Sequence, residues 1–145
     1  MSLAAFDPQE LERFTRTFEN LFQAGDPDSM TSYYTQDAQL MADGIAPIRG
    51  HAEIGEFWRA AIDRAAAAKA RRVIRLHESS SSGDLGYALC TVTVEIPAAN
   101  GGSVISAWDA TIWRRDPGGQ WQIAVDISTR LPPDDRAPMT RPGSG

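Results

Sequence analysis

Cysteine, lysine and histidine are all scarce in this chain. The single cysteine, Cys90, excludes an internal disulfide and any cysteine-built zinc site. Two histidines, His51 and His77, leave little for a histidine-rich metal centre, so no metal is expected. Lys69 is the only lysine among 14 basic residues, which reads as GC-rich codon usage and not as function. Positive charge is also short: 19 acids against 14 bases leave a formal net charge of −5, the wrong sign for nucleic acid or an anionic membrane. No apolar run approaches the roughly 18 residues of a membrane span, and no basic-then-apolar start marks export. No serine sits in a Gly-x-Ser-x-Gly turn, and no phosphate cradle or dinucleotide fingerprint is present. What remains is a cytoplasmic protein without cofactor, nucleic-acid or membrane partners.

The 145 residues are 42% hydrophobic and 23% charged, a composition that folds as one globular domain. Asp7-Pro8-Gln9-Glu10 reads as an N-cap, a proline at the first helical position and a capping-box acid. Leu11, Phe14, Phe18, Leu21 and Phe22 then recur at helical spacing until Gly25 stops the helix. Asp26-Pro27 repeats the start signal, predicting a short helix to about Tyr34, then a strand over 37–41 and a turn at Asp43-Gly44. After Gly50, Ile54, Phe57, Trp58, Ala61 and Ile62 form a second helical stripe that alanines extend to about Ala70. From Arg71 the period becomes two, predicting strands over 71–79, 85–96, 103–115 and 121–130 joined by Gly-, Asn- and Asp-rich turns. Short connections make these an antiparallel meander, and helices before strands make the fold α+β. The domain spans 1–130; residues 131–145 hold four prolines and read as a loose tail.

The pieces Phe22-Gln23-Ala24-Gly25-Asp26, Tyr34-Thr35-Gln36-Asp37-Ala38 and Ile48-Arg49-Gly50, with Phe57-Trp58 and the hairpin from Thr111 to Ile123, occur in an order that resembles the nuclear transport factor 2-like superfamily. That superfamily includes ketosteroid isomerases, scytalone dehydratase and SnoaL-like polyketide cyclases. The resemblance covers about residues 10 to 128 and implies a cone: three N-terminal helices packed in a strongly bent antiparallel sheet around a deep apolar cavity. It does not choose a reaction, because one fold hosts enzymes and mute binding modules alike.

Laid over the ketosteroid isomerase pattern, the pocket tyrosine falls on Phe18 and the general base on Ala42, with Asp43 one residue further. Only the oxyanion aspartic acid is kept, as Asp109. A steroid isomerase mechanism is therefore not expected. SnoaL-like cyclases carry an acid/base aspartate on a late strand, which Asp126 matches. Asp126 stands in the apolar run 123–127, where an unpaired charge is costly. Trp121, Ile123 and Val125 are read as one face of that strand, which leaves Ala124, Asp126 and Ser128 on the other, around the cavity. Two carboxyls in such a place push one pKa upward, so that one donates a proton while the other accepts.

Each residue also has a plainer reading. Asp126 would be structural if Arg75, Arg114 or Arg115 paired with it. A bulge would move Asp109 to the outer face. His77 is a candidate proton shuttle or a locally satisfied strand histidine; His51 reads as a helix-start residue and Cys90 as an inert buried thiol. The candidate catalytic residues are thus Asp126, Asp109 and His77. Phe18, Tyr34, Trp58, Tyr87, Thr111 and Trp113 are the candidate cavity wall or ordinary core. An apolar outer phase of Trp108, Ile112 and Val92 predicts a homodimer through the sheet. Two functions are carried forward: a cofactor-independent isomerase, cyclase or dehydratase acting on a small apolar carbonyl compound, and a non-catalytic module that binds a hydrophobic ligand or dimerises.

Overall fold

A computed structural model describes residues 1–132. Helix α1 runs Pro8–Ala24, and its start is set as the sequence predicts: the Asp7 carboxylate accepts the Glu10 N–H at 2.9 Å. Gly25 ends it at φ 75°, a left-handed position that costs other residues strain. Helix α2, Pro27–Thr31, is shorter than expected, because Tyr34 already begins strand β1, Tyr34–Met41. After the two-residue strand β2, Ile48–Arg49, helix α3 spans Gly50–Ala68. The meander follows as β3 Arg71–Ser82, β4 Leu85–Glu95, β5 Val104–Arg115 and β6 Trp121–Arg130.

The six strands form one sheet in the order β2-β1-β6-β5-β4-β3. All neighbours are antiparallel except β1 and β6, which run parallel, a pairing the meander pattern does not foretell. This is the expected α+β cone, with the helices inside the curve of the sheet. Its core is strongly aromatic. The Phe14 ring meets Phe18, Tyr33 and Trp113 at 4.9 to 5.1 Å, and Phe18 packs edge-on against Trp58 at 5.3 Å. The N-terminal segment closes one end: Leu3 bridges to Trp121, and Phe6 stacks on Trp121 at 4.8 Å.

Two irregularities steer side chains. On β6 the pairing steps from Trp113↔Ile123 to Ile112↔Val125, so Ala124 is an extra, bulged residue. Trp121 and Ile123 therefore face inward with Asp126 and Ser128; the expected split of the strand into two faces is corrected by this bulge. On β3 the register shifts between Leu76↔Cys90 and Glu78↔Leu89, so His77 is the bulged residue of that strand. The expected outer phase is also revised. Val92 is buried and faces the cavity, in phase with Cys90, whereas Ile112 and Ile127 stand 38% and 39% exposed on the outer face. Of the predicted tail, only Leu131 and Pro132 are described; the Leu131 N–H donates to the Ser106 carbonyl at 2.9 Å, and 133–145 lie outside the described residues.

Candidate functional site

Inside the cone are two compartments that share a wall. The inner chamber, about 40 Å³, is bounded by α1 and by Trp113, Thr111 and Ile123, with room for a few waters. The outer pocket, about 430 Å³, opens between the C-terminal half of α3 and the ends of β4, β5 and β6. Trp58, Arg72, Val92, Asp109 and Asp126 line both. A volume of 430 Å³ suits a small organic molecule.

The two aspartates reach this wall through strand register. Asp126 pairs with Thr111 across β5 and with Leu40 across β1, while Asp109 sits two residues from Thr111 and so on the same face. Asp126 is buried, and its Oδ2 accepts the Tyr34 hydroxyl at 2.6 Å. That bond depends on the early start of β1, where Tyr34 pairs with Ile123. Asp109 is half-buried and keeps contact with the outer pocket. Desolvation first, then the charge of Asp126 and a hydrogen bond with it, raise the Asp109 pKa well above the usual carboxyl range; Arg72 opposes this. These causes favour the protonated form of the Asp109 carboxyl. Burial and the same neighbouring carboxyls hold the Tyr34 phenol protonated, as a donor. The Trp58 indole N–H favours the Tyr34 oxygen electrostatically but closes no hydrogen bond of ordinary geometry, and it is otherwise buried without a partner.

None of the arginines expected to pair with Asp126 does so. Arg75 is exposed, Arg114 lies 4.0 Å from Asp37, and Arg115 holds Asp84 at 2.8 Å. The cation at the wall is Arg72, which sequence reasoning missed. Alternation was the available signal: Arg72, Ile74 and Leu76 share one phase of β3, and all three line the inner chamber.

The other candidates divide. Phe18, Tyr34, Thr111 and Trp113 line the inner chamber behind the carboxyl pair, where Trp113 Nε1–H donates to Thr111 Oγ1 at 2.8 Å. Trp58 is the one candidate aromatic that reaches both compartments. Tyr87 is not brought to the site: the β4 alternation buries Gly86 and Ala88, turning Tyr87 outward, where its hydroxyl donates to Glu78. His77 lines neither compartment. It bonds Thr91 Oγ1 at 2.8 Å and packs on Trp108, ring centroids 5.1 Å apart, on the outer phase of β4 and β5. Asp43 reaches the rim of the outer pocket, and its Oδ2 accepts the Arg130 backbone N–H at 2.7 Å. His51 Nε2 bonds the Tyr34 carbonyl at 2.8 Å, as a helix-start residue would. Cys90 is buried, and desolvation pushes its thiol up to about 12, so it is no nucleophile at neutral pH. Among the described residues no three His, Cys, Asp or Glu side chains are grouped to hold a metal ion, and no helix is long and apolar enough to cross a membrane.

Residues 14–123 match the model of the SnoaL-like domain. The chain belongs to the SnoaL-like domain family. Among solved structures, this SnoaL-like chain is similar to an NTF2-like protein with a cystatin-like fold from Novosphingobium aromaticivorans, with TM-score 0.75 and 18% identity over 90% of this chain and 84% of that one. A ketosteroid isomerase-like protein from Erwinia carotovora atroseptica follows at TM-score 0.68 and 18% identity, over 84% and 94% of the two chains. A candidate dehydratase of the NTF2-like family from Streptomyces avermitilis gives 0.66 and 14%, over 87% and 97%. At these identities the likeness is one of fold. No curated protein matches the chain in sequence.

Proposed function

We propose that this SnoaL-like protein is an acid/base enzyme that isomerises, cyclises or dehydrates a small, largely apolar carbonyl compound held in the outer pocket. The observation that carries this reading is the carboxyl pair at the pocket floor, Asp126 held by the Tyr34 hydroxyl and Asp109 beside it on the same wall, in surroundings that raise the Asp109 pKa. Asp126, as carboxylate, takes the proton from carbon next to the carbonyl. The C–H electron pair becomes the new C=C bond, and the carbonyl π electrons move to oxygen. Asp109 donates a hydrogen bond to that oxygen, or gives its proton to a departing hydroxyl in a dehydration. In a cyclisation the enolate carbon instead attacks a second carbonyl of the same molecule. Tyr34 touches only the Asp126 side and positions that carboxylate. The fold of the dehydratase-like neighbour is in keeping with this chemistry but does not choose among the three outcomes. For the outer sheet face, we propose a second copy of the chain as partner, supported by exposed Ile112 and Ile127 and read by sedimentation.

The test is solvent-deuterium incorporation, followed by NMR, at the α-carbon of a panel of small cyclic and aryl ketones. The wild-type protein should catalyse exchange on at least one, and Asp126→Asn should lower that rate by roughly 10²–10⁴ while remaining folded. Equal exchange by wild type and Asp126→Asn would remove the base assignment. Ligands that bind in the outer pocket without any exchange would make the protein a binding module.

A further inference from the structure

Arg72 stands at the compartment wall, in contact with aromatic rings but with no hydrogen-bond partner among the described residues. It makes no hydrogen bond, and no ion pair within 4.0 Å, among the described residues, although a guanidinium carries five N–H donors. Nε is sealed from solvent without a partner, while the side chain lines both compartments. Aromatic rings hold it in place: the guanidinium carbon lies 5.1 Å from the centre of Phe22 and 5.0 Å from that of Trp58. The charged or titratable groups around it are Glu19 on α1, Tyr34 on β1, Asp109 on β5 and Asp126 on β6. Glu19 is already committed, since its Oε2 accepts the Ile74 N–H at 2.6 Å. Tyr34 and Asp126 are bonded to each other. A half-buried guanidinium whose Nε is sealed without a partner is costly, and a fork of N–H groups at a pocket floor is suited to a planar oxygen anion.

We propose that Arg72 binds the ligand's oxygen, and that the site carries its substrate as an ionised enolate paired with this guanidinium. The inference rests on the acid/base reading above and extends it to the substrate class: a carbon acid whose anion survives as an ion pair, rather than one that must be trapped as a neutral enol. Charge is conserved across the step. Asp126 starts negative beside Arg72; when it takes the carbon proton, the negative charge passes to the ligand oxygen, still beside Arg72. Arg72 would thus be a catalytic residue in contact with the oxygen, and Phe22 and Trp58 would hold its plane in position.

The probe is para-nitrophenol, whose anion is planar, carries its charge on oxygen and absorbs at a wavelength of its own. With the protein buffered about one unit below the free phenol's pKa, the bound phenol should show the anion spectrum. Arg72→Met should weaken binding roughly a hundred-fold and return the remaining bound phenol to its neutral spectrum. Arg72→Lys keeps the charge without the planar fork, and should bind the anion with intermediate affinity; it serves if the Met variant does not fold. Asp126→Asn, which removes the competing negative charge, should bind the anion at least as tightly as wild type although it loses exchange. A neutral bound phenol in the wild-type protein, or no binding at all, overturns the inference. So does an Arg72→Met variant that binds the anion as wild type does. Loss of ketone exchange in Asp126→Asn beside a neutral bound phenol would leave the acid/base reading standing and remove only the role of Arg72.

Discussion

The inner chamber and the outer pocket are separated by a single layer of side chains, yet they are built differently. Around the inner chamber, large aromatics from α1 and β5 fill nearly all the space, and Trp113 is wholly buried. Around the outer pocket, the α3 wall is Ala61, Ala65 and Ala68, and the β5–β6 wall offers Ala107 and Ser128. Small residues on facing elements leave volume that larger ones would close. The carboxyl pair and Arg72 stand between these regions, desolvated by the packed side and reachable from the open side. A packed region backing an open one is what lets a carboxyl have a raised pKa and still meet a ligand.

If this contrast is right, truncation behind the wall should cost stability, and filling in front of it should cost only binding. The largest effect is expected for Trp113→Ala, which removes a fully buried indole and should destabilise by about 3–5 kcal/mol in urea unfolding. Next comes Gly86→Ala. A Cβ there would stand 2.7 Å from Phe6, and the ring that closes this end must shift, at a cost of about 1–3 kcal/mol in the same measurement.

The wall itself responds to pH. Because the native Asp109 pKa is raised, the folded protein holds a proton that the unfolded chain releases above a carboxyl pKa of about 3.9. Folding stability should therefore fall as pH rises from that value toward the native pKa, since the native state binds more protons across this window. Asp109→Asn should flatten this slope and be the more stable protein at neutral pH; an unchanged slope in equilibrium unfolding would contradict it. The smallest effect on stability is expected in front of the wall. Ala65→Phe should change unfolding by less than about 0.5 kcal/mol while excluding ligands from the outer pocket, measured by unfolding and by phenol titration together.

The sequence made the framework readable where local chemistry decides structure. Asp7, Pro8 and Gly25 bound α1, and alternation located β6 from Trp121 to Arg130. The inward placement of Asp126 was also reached, but through a face assignment that the Ala124 bulge corrects. A bulge depends on the partner strand as well as its own, so a single strand's pattern cannot announce it. Tyr34 was placed on a helix end because Asp26-Pro27 signals a start and nothing nearby signals a stop. Its bond to Asp126 spans 92 residues and depends on the parallel β1–β6 pairing. Arg72 went unremarked among Arg71, Arg72 and Arg75, where composition invites a solvated reading and only the shared phase with Ile74 and Leu76 points inward. His77 and Tyr87 show the reverse: chemically attractive residue types, turned by strand phase to the outer face.

The central claim is that one proton sits on Asp109 at neutral pH, at the floor of a pocket a ligand can enter. Infrared difference spectroscopy against Asp109→Asn measures this directly. The account predicts a protonated carboxylic acid C=O band in the wild-type protein at neutral pH that is missing from the variant. A wild-type spectrum in which every carboxyl is ionised at neutral pH would contradict it.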